Sequence, residues 1–408
     1  MNYVTRAAEQ KFMKMNDQFK AVMLTGARQV GKTTMLKHLS DKQERTYVTL
    51  DNLMVRNLAK TDPGLFFQTY KPPVLIDEIQ YAPELFEQIK IMCDASEETG
   101  RFWLTGSQKY SRIKNVRQSL AGRLGVLELF SLTRNEMEGI FFEEELDFSL
   151  PCLLERQRKT PKNDLVKVFE YIWRGGMPQI QKAGSEERAV YYESYIDCFI
   201  MRDITQLGGI TDLVKFRKFI AACAAQVATQ VNYKTLAEAS DISQPTAKEW
   251  LSLLEGMGIV FLLVPYEDKA LKRLTKTAKL YFYDTGLCAH LSRWTTQEAL
   301  CNGAASECFF ECFVISEIIK NFMYTSTRAS LAHFRDAKAK EIDLLVTAND
   351  MIYPFEIKMS ANADPKEIKK FSILNKATAN RGPGGVLCMC QEVVPIDDRN
   401  CFIPVNLI

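Results

Sequence analysis

The 408-residue sequence is poor in histidine, in net charge and in long apolar runs. His38, His290 and His333 are its only histidines, and they lie far apart in the chain. The eleven cysteines do not compensate. The closest pairs, Cys388 with Cys390 and Cys308 with Cys312, lack the clustered spacing of a zinc site. That pattern argues against a structural metal and for buried free thiols in a reducing compartment. The 52 Lys and Arg against 50 Asp and Glu leave a net charge of +2. A basic nucleic-acid coat is excluded, so any DNA contact must come from a local patch. No uncharged apolar run approaches a membrane span. Met1 to Lys20 is polar and charged, without a signal-peptide core. The expectation is a cytoplasmic chain with no membrane partner. With 47% hydrophobic and 25% charged residues, the composition is globular, and the length calls for two to four domains.

The first informative stretch is Ala21-Val22-Met23-Leu24-Thr25, a short apolar run that predicts a buried strand. Gly26, Ala27, Arg28, Gln29, Val30, Gly31, Lys32 and Thr33 follow in the spacing G-x-x-x-x-G-K-T. Thr34 to Ser40 then predicts a helix with Met35, Leu36 and Leu39 on its apolar side. A strand, a glycine loop and a helix are the context this phosphate-binding motif demands. Glycines let the backbone wrap a phosphate chain, and the free N–H groups of the loop and helix start attract the anion. Lys32 is expected to reach the β and γ phosphates of ATP, and Thr33 to bind Mg²⁺. Val74-Leu75-Ile76-Asp77-Glu78 predicts a second buried parallel strand ending in two acids. Asp77 is the expected Mg²⁺ partner through water, and Glu78 the base that activates the attacking water. Arg101 to Ser107 predicts a third strand, with Thr105 and Ser107 as γ-phosphate sensors.

These motifs, followed by Ser119-Leu120-Ala121-Gly122-Arg123, resemble in order and kind the bacterial and archaeal AAA-type ATPases that carry an uncharacterised C-terminal domain. Arg174-Gly175-Gly176-Met177-Pro178, Arg202-Asp203-Ile204 and Tyr281-Phe282-Tyr283-Asp284-Thr285-Gly286-Leu287 fit the same family. The resemblance covers nearly the whole chain. It implies an arginine that stabilises the transferring phosphoryl group, which Arg123 would supply, with Arg28 a weaker choice. A shared arginine would suit a homo-oligomeric ring.

Between about Phe141 and Gln230 the pattern is mostly helical, a lid beside the nucleotide, with Phe141 to Pro161 a linker or hairpin. Tyr233 to Ala239 and Gln244 to Met257 predict two helices, the second capped by Ser243, before a strand from Ile259 to Val264. This is the order of a winged helix-turn-helix. Its second helix would offer Gln244, Thr246, Lys248 and Glu249 to a DNA groove. Lys269, Lys272, Arg273, Lys276 and Lys279 would offer phosphate contacts from the wing. The alternative is a winged helix that binds protein.

Further on, Glu341 to Val346 and Ile352 to Lys358 predict a hairpin turned at Asn349-Asp350. Asp343, Glu356 and Lys358 then form D-(x12)-E-x-K, with Glu356 and Lys358 on one strand face. Two acids and a lysine are similar to the metal-dependent site of restriction-endonuclease-like folds, where a helix glutamate completes the set. Glu311 is the choice for the site, with Glu317 the other plausible position and Glu307 nearby. Ile342 stands where such sites often have proline. The competing expectation is an exposed ion-pair ladder on an inactive scaffold.

The predicted architecture is α/β. It comprises a P-loop AAA-type ATPase domain (1–160), a helical lid (161–230), a winged helix (231–280) and a restriction-endonuclease-like domain (281–408). The predicted function is Mg²⁺-dependent ATP hydrolysis coupled to a DNA-binding C-terminal half, with DNA cleavage there left open. The alternative is a nucleotide-gated switch for a protein partner.

Overall fold

The computed structural model describes residues 3–41, 43–107, 120–142, 145–208, 210–267, 277–336 and 340–408. Two compact units divide the chain. The first is Met1–Leu132 with Met177–Gln179 and Gly256–Ile259, and the second is Thr133–Gly176, Ile180–Glu255 and Val260–Ile408.

The first unit is a five-stranded sheet, β1 Ala21–Thr25, β2 Thr46–Thr49, β3 Val74–Asp77, β4 Phe102–Thr105 and β5 Leu124–Glu128, in the order β2-β3-β4-β1-β5. Every pairing is parallel. The apolar runs β1, β3 and β4 are buried along their full length, as central parallel strands covered on both faces must be. Helices α1 (Ala8–Gln18), α2 (Lys32–Ser40), α3 (Leu53–Thr61), α4 (Pro63–Thr69) and α5 (Leu85–Asp94) complete the unit. Phe66, Phe67, Phe86 and Ile89 from α4 and α5 pack on Met23, Ile76 and Leu104 of the sheet. Parallel strands put all their C-terminal ends at one edge, so the loop after β1 and the acids of β3 meet there.

In the second unit, residues 133–160 pack with the C-terminal part of the chain, whereas the sequence suggested a boundary at 160. Buried polar contacts tie them there. Arg134 donates to the Asn406 carbonyl, Asn135 Nδ2 donates to the Ile408 carbonyl at 2.9 Å, and Arg156 to the Leu407 carbonyl at 3.0 Å. The expected linker also contains a helix. After α6 (Arg134–Glu138), α7 runs from Leu150 to Lys159, started by the Ser149 hydroxyl accepting the Cys152 N–H at 3.3 Å. Pro151 in the first turn and three basic residues in the last read as a helix with correct ends. The many charges obscured it.

Helices α8 (Leu165–Arg174), α9 (Ser185–Tyr195), α10 (Met201–Gly208) and α11 (Leu213–Ala225) form the helical region. Gly175 ends α8, and it and Gly286 allow two distant sequence motifs to touch. A Cβ at Gly286 would lie 2.3 Å from the Arg174 carbonyl, and one at Gly175 2.3 Å from the Tyr192 hydroxyl. Asp284 binds the junction, accepting from Gly176 N–H at 2.9 Å, Tyr192 OH at 2.8 Å and Leu287 N–H at 2.9 Å. Its partners are all structural.

Two helices, α12 (Tyr233–Ser240) and α13 (Gln244–Gly256), are followed by β6 (Val260–Leu263), which runs antiparallel to β7 (Lys279–Phe282). Ser243 caps α13 through the Thr246 N–H at 3.2 Å. Trp250 packs on Phe216 and Phe219 of α11, at 5.1 and 5.5 Å between ring centres. Beyond α14 (Thr285–Leu291), α15 (Gln297–Cys301) and the 19-residue α16 (Ser306–Tyr324) comes a mixed seven-stranded sheet. Its path is β13-β14-β12-β10-β9-β8, from β8 (Ser330–Arg335), β9 (Glu341–Ala348), β10 (Met351–Lys358), β12 (Gly384–Cys388), β13 (Val394–Pro395) and β14 (Asn400–Pro404), while β11 (Asn380–Arg381) pairs with β10. The β9–β10 hairpin turns at Asn349 and Asp350, whose φ angles of +50° and +60° suit a tight two-residue turn.

All eleven cysteines are free. No helix among the described residues is long and apolar enough to cross a membrane.

Candidate nucleotide-binding site

The loop from Gly26 to Thr33 links the C-terminal end of β1 to the start of α2. Gly26 has φ +138°, and a Cβ there would lie 2.1 Å from the Leu129 carbonyl oxygen, so only glycine fits. Gly31 has φ +98° and precedes α2 without a side-chain cap. The first N–H groups of α2 are therefore left to an anion. Lys32 is buried, and its Nζ donates to the carbonyls of Gly26 at 3.0 Å and Ala27 at 2.8 Å. Its charge is thus directed into the loop. Ala27 and Val30 are buried, while Gln29 and Thr34 are exposed. Arg28 reaches the Tyr81 hydroxyl at 3.4 Å.

Asp77 is the centre of the site. Its Oδ1 accepts the Thr33 hydroxyl at 2.7 Å and the Thr105 hydroxyl at 2.5 Å, and its Oδ2 accepts the Tyr47 hydroxyl at 3.2 Å. Neutral hydroxyl donors thus hold the carboxylate beside the loop threonine. The donor set suits Mg²⁺, a hard cation that takes hydroxyl and carboxylate oxygens. Glu78 follows in the left-handed region at φ +60° and ψ +48°, an uncommon backbone state for a non-glycine residue. Its N–H donates to Thr105 Oγ1 at 3.0 Å and its Oε2 accepts from Gln80 Nε2. Gln80 Nε2 also donates to Ser107 Oγ at 3.1 Å.

Tyr47, Gln80 and Arg6 escaped the sequence reading. Tyr47 lies on edge strand β2, and its hydroxyl is pushed up to about 12, first by burial and then by the Asp77 charge. Arg6 is buried, donating to the carbonyls of Val30 at 2.8 Å and Phe130 at 2.7 Å, so the chain's start braces the loop from behind. No motif marks an arginine so far upstream of a glycine loop.

Arg123 lies at the other edge of the sheet. It precedes β5, and its carbonyl accepts the Ala21 N–H at the N-terminal edge of the sheet. The loop leaves the opposite edge. Arg123 pairs with Asp94 and donates to the Ala121 carbonyl at 3.1 Å, so it does not face the nucleotide site of its own chain. The length of a five-residue strand, about 16 Å, separates the two edges.

In the second unit, the four C-terminal residues singled out by sequence come together. Asp343 Oδ2 accepts the Ile357 N–H at 3.0 Å, and Lys358 Nζ lies 3.9 Å from Asp343 and 3.6 Å from Glu356. Glu311 accepts the Tyr281 hydroxyl at 2.5 Å and Lys279 Nζ at 3.1 Å. Burial and then the Asp343 charge raise Glu311 above the usual carboxylate range. The same two causes push Glu356 up to about 9 against the opposing pull of Lys370 and Lys358. Glu317 is elsewhere, accepting the Arg134 N–H at 2.8 Å beside Lys320, and Glu307 is exposed.

Two expectations fail in this cluster. Lys279 is buried between Glu311 at 3.1 Å and Glu341 at 2.6 Å, so it makes no wing contact with phosphate. Lys370 lies 2.6 Å from Glu356 Oε2, and Lys358 and Lys370 also reach Glu367 at 4.0 and 3.4 Å. Among the described residues, no three His, Cys, Asp or Glu side chains are grouped to hold a metal ion. Glu356 Oε1 is buried without a hydrogen-bond partner among the described residues. Ammonium groups from Lys279, Lys358 and Lys370 lie against the acids of this cluster. Gln244, Lys248 and Glu249 are exposed on α13 and Thr246 is half-buried. Lys269, Lys272, Arg273, Lys276 and Ser119 lie outside the described residues.

Residues 18–138 match the family model of an AAA domain. This stretch of the chain is thus an AAA-type P-loop domain. Residues 166–298 and 308–408 match two domains of unknown function, DUF8612 and DUF4143. An uncharacterised protein of Mycobacterium tuberculosis is 26% identical over 390 residues, covering 95% of this chain and 80% of that protein. An uncharacterised protein of Methanocaldococcus jannaschii is 23% identical over 292 residues, covering 65% and 61%. Among solved structures, the Walker-type ATPase of Pyrococcus abyssi has a TM-score of 0.41 at 14% identity, covering 69% of this chain and 94% of that one. The RuvB Holliday junction branch migration motor of Thermotoga maritima has a TM-score of 0.30 at 17% identity, covering 62% and 85%. The AAA domain implies nucleotide binding; its hydroxyl-bound Asp77 suits the Mg²⁺ that accompanies ATP.

Proposed function

We propose that this chain is a Mg²⁺-dependent ATP hydrolase whose nucleotide state is read by a C-terminal recognition half. The observation that carries the ATPase reading is the contact of Thr33 and Thr105 with one oxygen of Asp77, at 2.7 and 2.5 Å. Bound Mg²⁺ would rest on Thr33 and, through water, on Asp77, and would offset the negative charge of the phosphates. The loop N–H groups and Lys32 bind and orient the β and γ phosphates. Glu78 takes a proton from the attacking water as the water oxygen bonds to the γ-phosphorus, while the bond from that phosphorus to the β–γ bridging oxygen breaks and ADP leaves with that oxygen and its electron pair. Thr105 keeps Asp77 aligned, and Ser107 senses the γ-phosphate.

The C-terminal half is assigned recognition rather than cleavage. Lys279, Lys358 and Lys370 occupy the surroundings of the carboxylates, which is the inactive-scaffold alternative of a restriction-endonuclease-like fold. The exposed face of α13 carries Lys248 beside Glu249, a mixed charge that favours a protein partner over a phosphate backbone. The test has two arms. Phosphate release from ATP is expected to require Mg²⁺ and to stop in excess chelator; release that persists in chelator sinks the hydrolase reading. DNA affinity titrated against salt is expected to be weak and shallow. Tight binding with a steep salt slope would instead establish the DNA reading, and Mg²⁺-dependent nicking abolished by Asp343→Ala would restore the nuclease.

A further inference from the structure

We propose that Gln80 is a positioning residue that ties the water-activating base to the phosphate sensor. The inference rests on the assignment of Glu78 as base and Ser107 as sensor. Three residues from two strand ends meet through one amide. Gln80 Nε2 donates to Glu78 Oε2 and, at 3.1 Å, to Ser107 Oγ. The orientation of the amide is set by its neighbours, because a carboxylate accepts and cannot donate, so the NH₂ group must face Glu78. The two protons of that group are thereby divided between base and sensor.

The rest of the side chain gains little from this pose. Gln80 Oε1 is buried without a hydrogen-bond partner among the described residues, which costs stability rather than adding it. Glu78 itself is held at φ +60° and ψ +48°, so its side chain leaves the backbone in a direction an ordinary strand end would not give. A second lacing lies alongside: Thr105 Oγ1 accepts the Glu78 N–H at 3.0 Å and donates to Asp77 Oδ1 at 2.5 Å. Backbone and carboxylate of Glu78 are thus tied separately to the end of β4, the backbone by Thr105 and the carboxylate by Gln80 and Ser107. When Ser107 turns to a γ-phosphate, the amide is released from one of its two partners, and the aim of the Glu78 carboxylate changes with it. The base is set by what the sensor binds.

The test is steady-state ATP turnover of the full chain with nucleotide affinity measured alongside by a fluorescent ATP analogue. Gln80→Ala is expected to lower kcat about tenfold while KM and analogue affinity move less than about twofold, the signature of lost transition-state alignment. Gln80→Glu keeps the shape but replaces the donor with an anion, and is expected to lower kcat at least as far. Ser107→Ala, which also removes the contact with the γ-phosphate, is expected to lower kcat at least as far as Gln80→Ala, and the double variant to be no worse than Ser107→Ala alone, because the linkage is already broken there. Losses that multiply in the double variant, or full activity in Gln80→Glu, overturn the proposal. Glu78→Gln separates this from the parent reading. If Glu78→Gln turns over normally, the base assignment fails. If it is inactive while Gln80→Ala is unaffected, only the role of Gln80 fails.

Discussion

Both units end acidic strands at one edge of a sheet, yet they treat the carboxylates in opposite ways. In the parallel sheet, Asp77 is surrounded by three hydroxyl groups, from Thr33, Tyr47 and Thr105. Neutral donors hold the acid in place without contributing a charge, and leave its attraction for a cation intact. In the mixed sheet, Glu356 faces Lys358 and Lys370 and keeps one oxygen without a partner among the described residues. Ammonium groups there already supply the positive charge, and burial raises the acids against it. The contrast teaches that two carboxylates and a lysine in a motif do not define a metal site. What the acids are hydrogen-bonded to decides whether a cation is needed.

Four measurements bear on this difference between the two sheets. The largest is at the loop: Lys32→Ala is expected to cut ATP turnover about 10³-fold, as removal of a phosphate-stabilising group does, measured by phosphate release. Next, Thr105→Val removes one donor from Asp77 and is expected to raise the Mg²⁺ concentration for half-maximal turnover about tenfold, a charge-assisted hydrogen bond being worth about 1.5–3 kcal/mol. The third concerns the mixed sheet and pH. Glu356 is raised from the usual 4.5 to about 9, so the folded chain holds a proton that the unfolded chain has lost. Its stabilising contribution is full below 4.5 and is lost as pH rises towards 9, with a slope of up to about 1.4 kcal/mol per pH unit from one group. Denaturant unfolding of Glu356→Gln is expected to show a flatter decline over that window than the parent; identical slopes would contradict the burial argument. The smallest effect is at Arg123: with its guanidinium on Asp94, Arg123→Ala is expected to leave turnover within about twofold of the parent rate.

Local motifs made the first unit legible. The glycine loop, its flanking strand and helix, and the Asp77-Glu78 strand end all lie where the spacing placed them, because a parallel sheet converts sequence order directly into position. Arg123 lies away from that edge of its own chain for the same reason: it precedes β5, and the beginnings of parallel strands lie at the edge opposite the loop. The contributors that sequence could not signal are those brought in by tertiary folding. Tyr47 sits on an edge strand, Arg6 precedes the motif, and Gln80 comes after the acidic pair on a single 3₁₀ turn. In the second unit the hairpin at Asn349-Asp350 and the convergence of Asp343, Glu356 and Lys358 were readable from strand alternation. Lys279 and Lys370 were not, since their partners lie 32 and 14 residues away. They are what changes the chemistry of the cluster.

The central claim is that Glu78 acts as base at a nucleotide held by the glycine loop. Glu78→Gln preserves the shape of the side chain and removes its ability to take a proton. Nucleotide affinity and single-turnover hydrolysis of that variant, measured with Mg²⁺ present, test the claim most directly. Unchanged affinity with hydrolysis reduced about 10²–10⁴-fold is the expected result. Hydrolysis at the parent rate would contradict it.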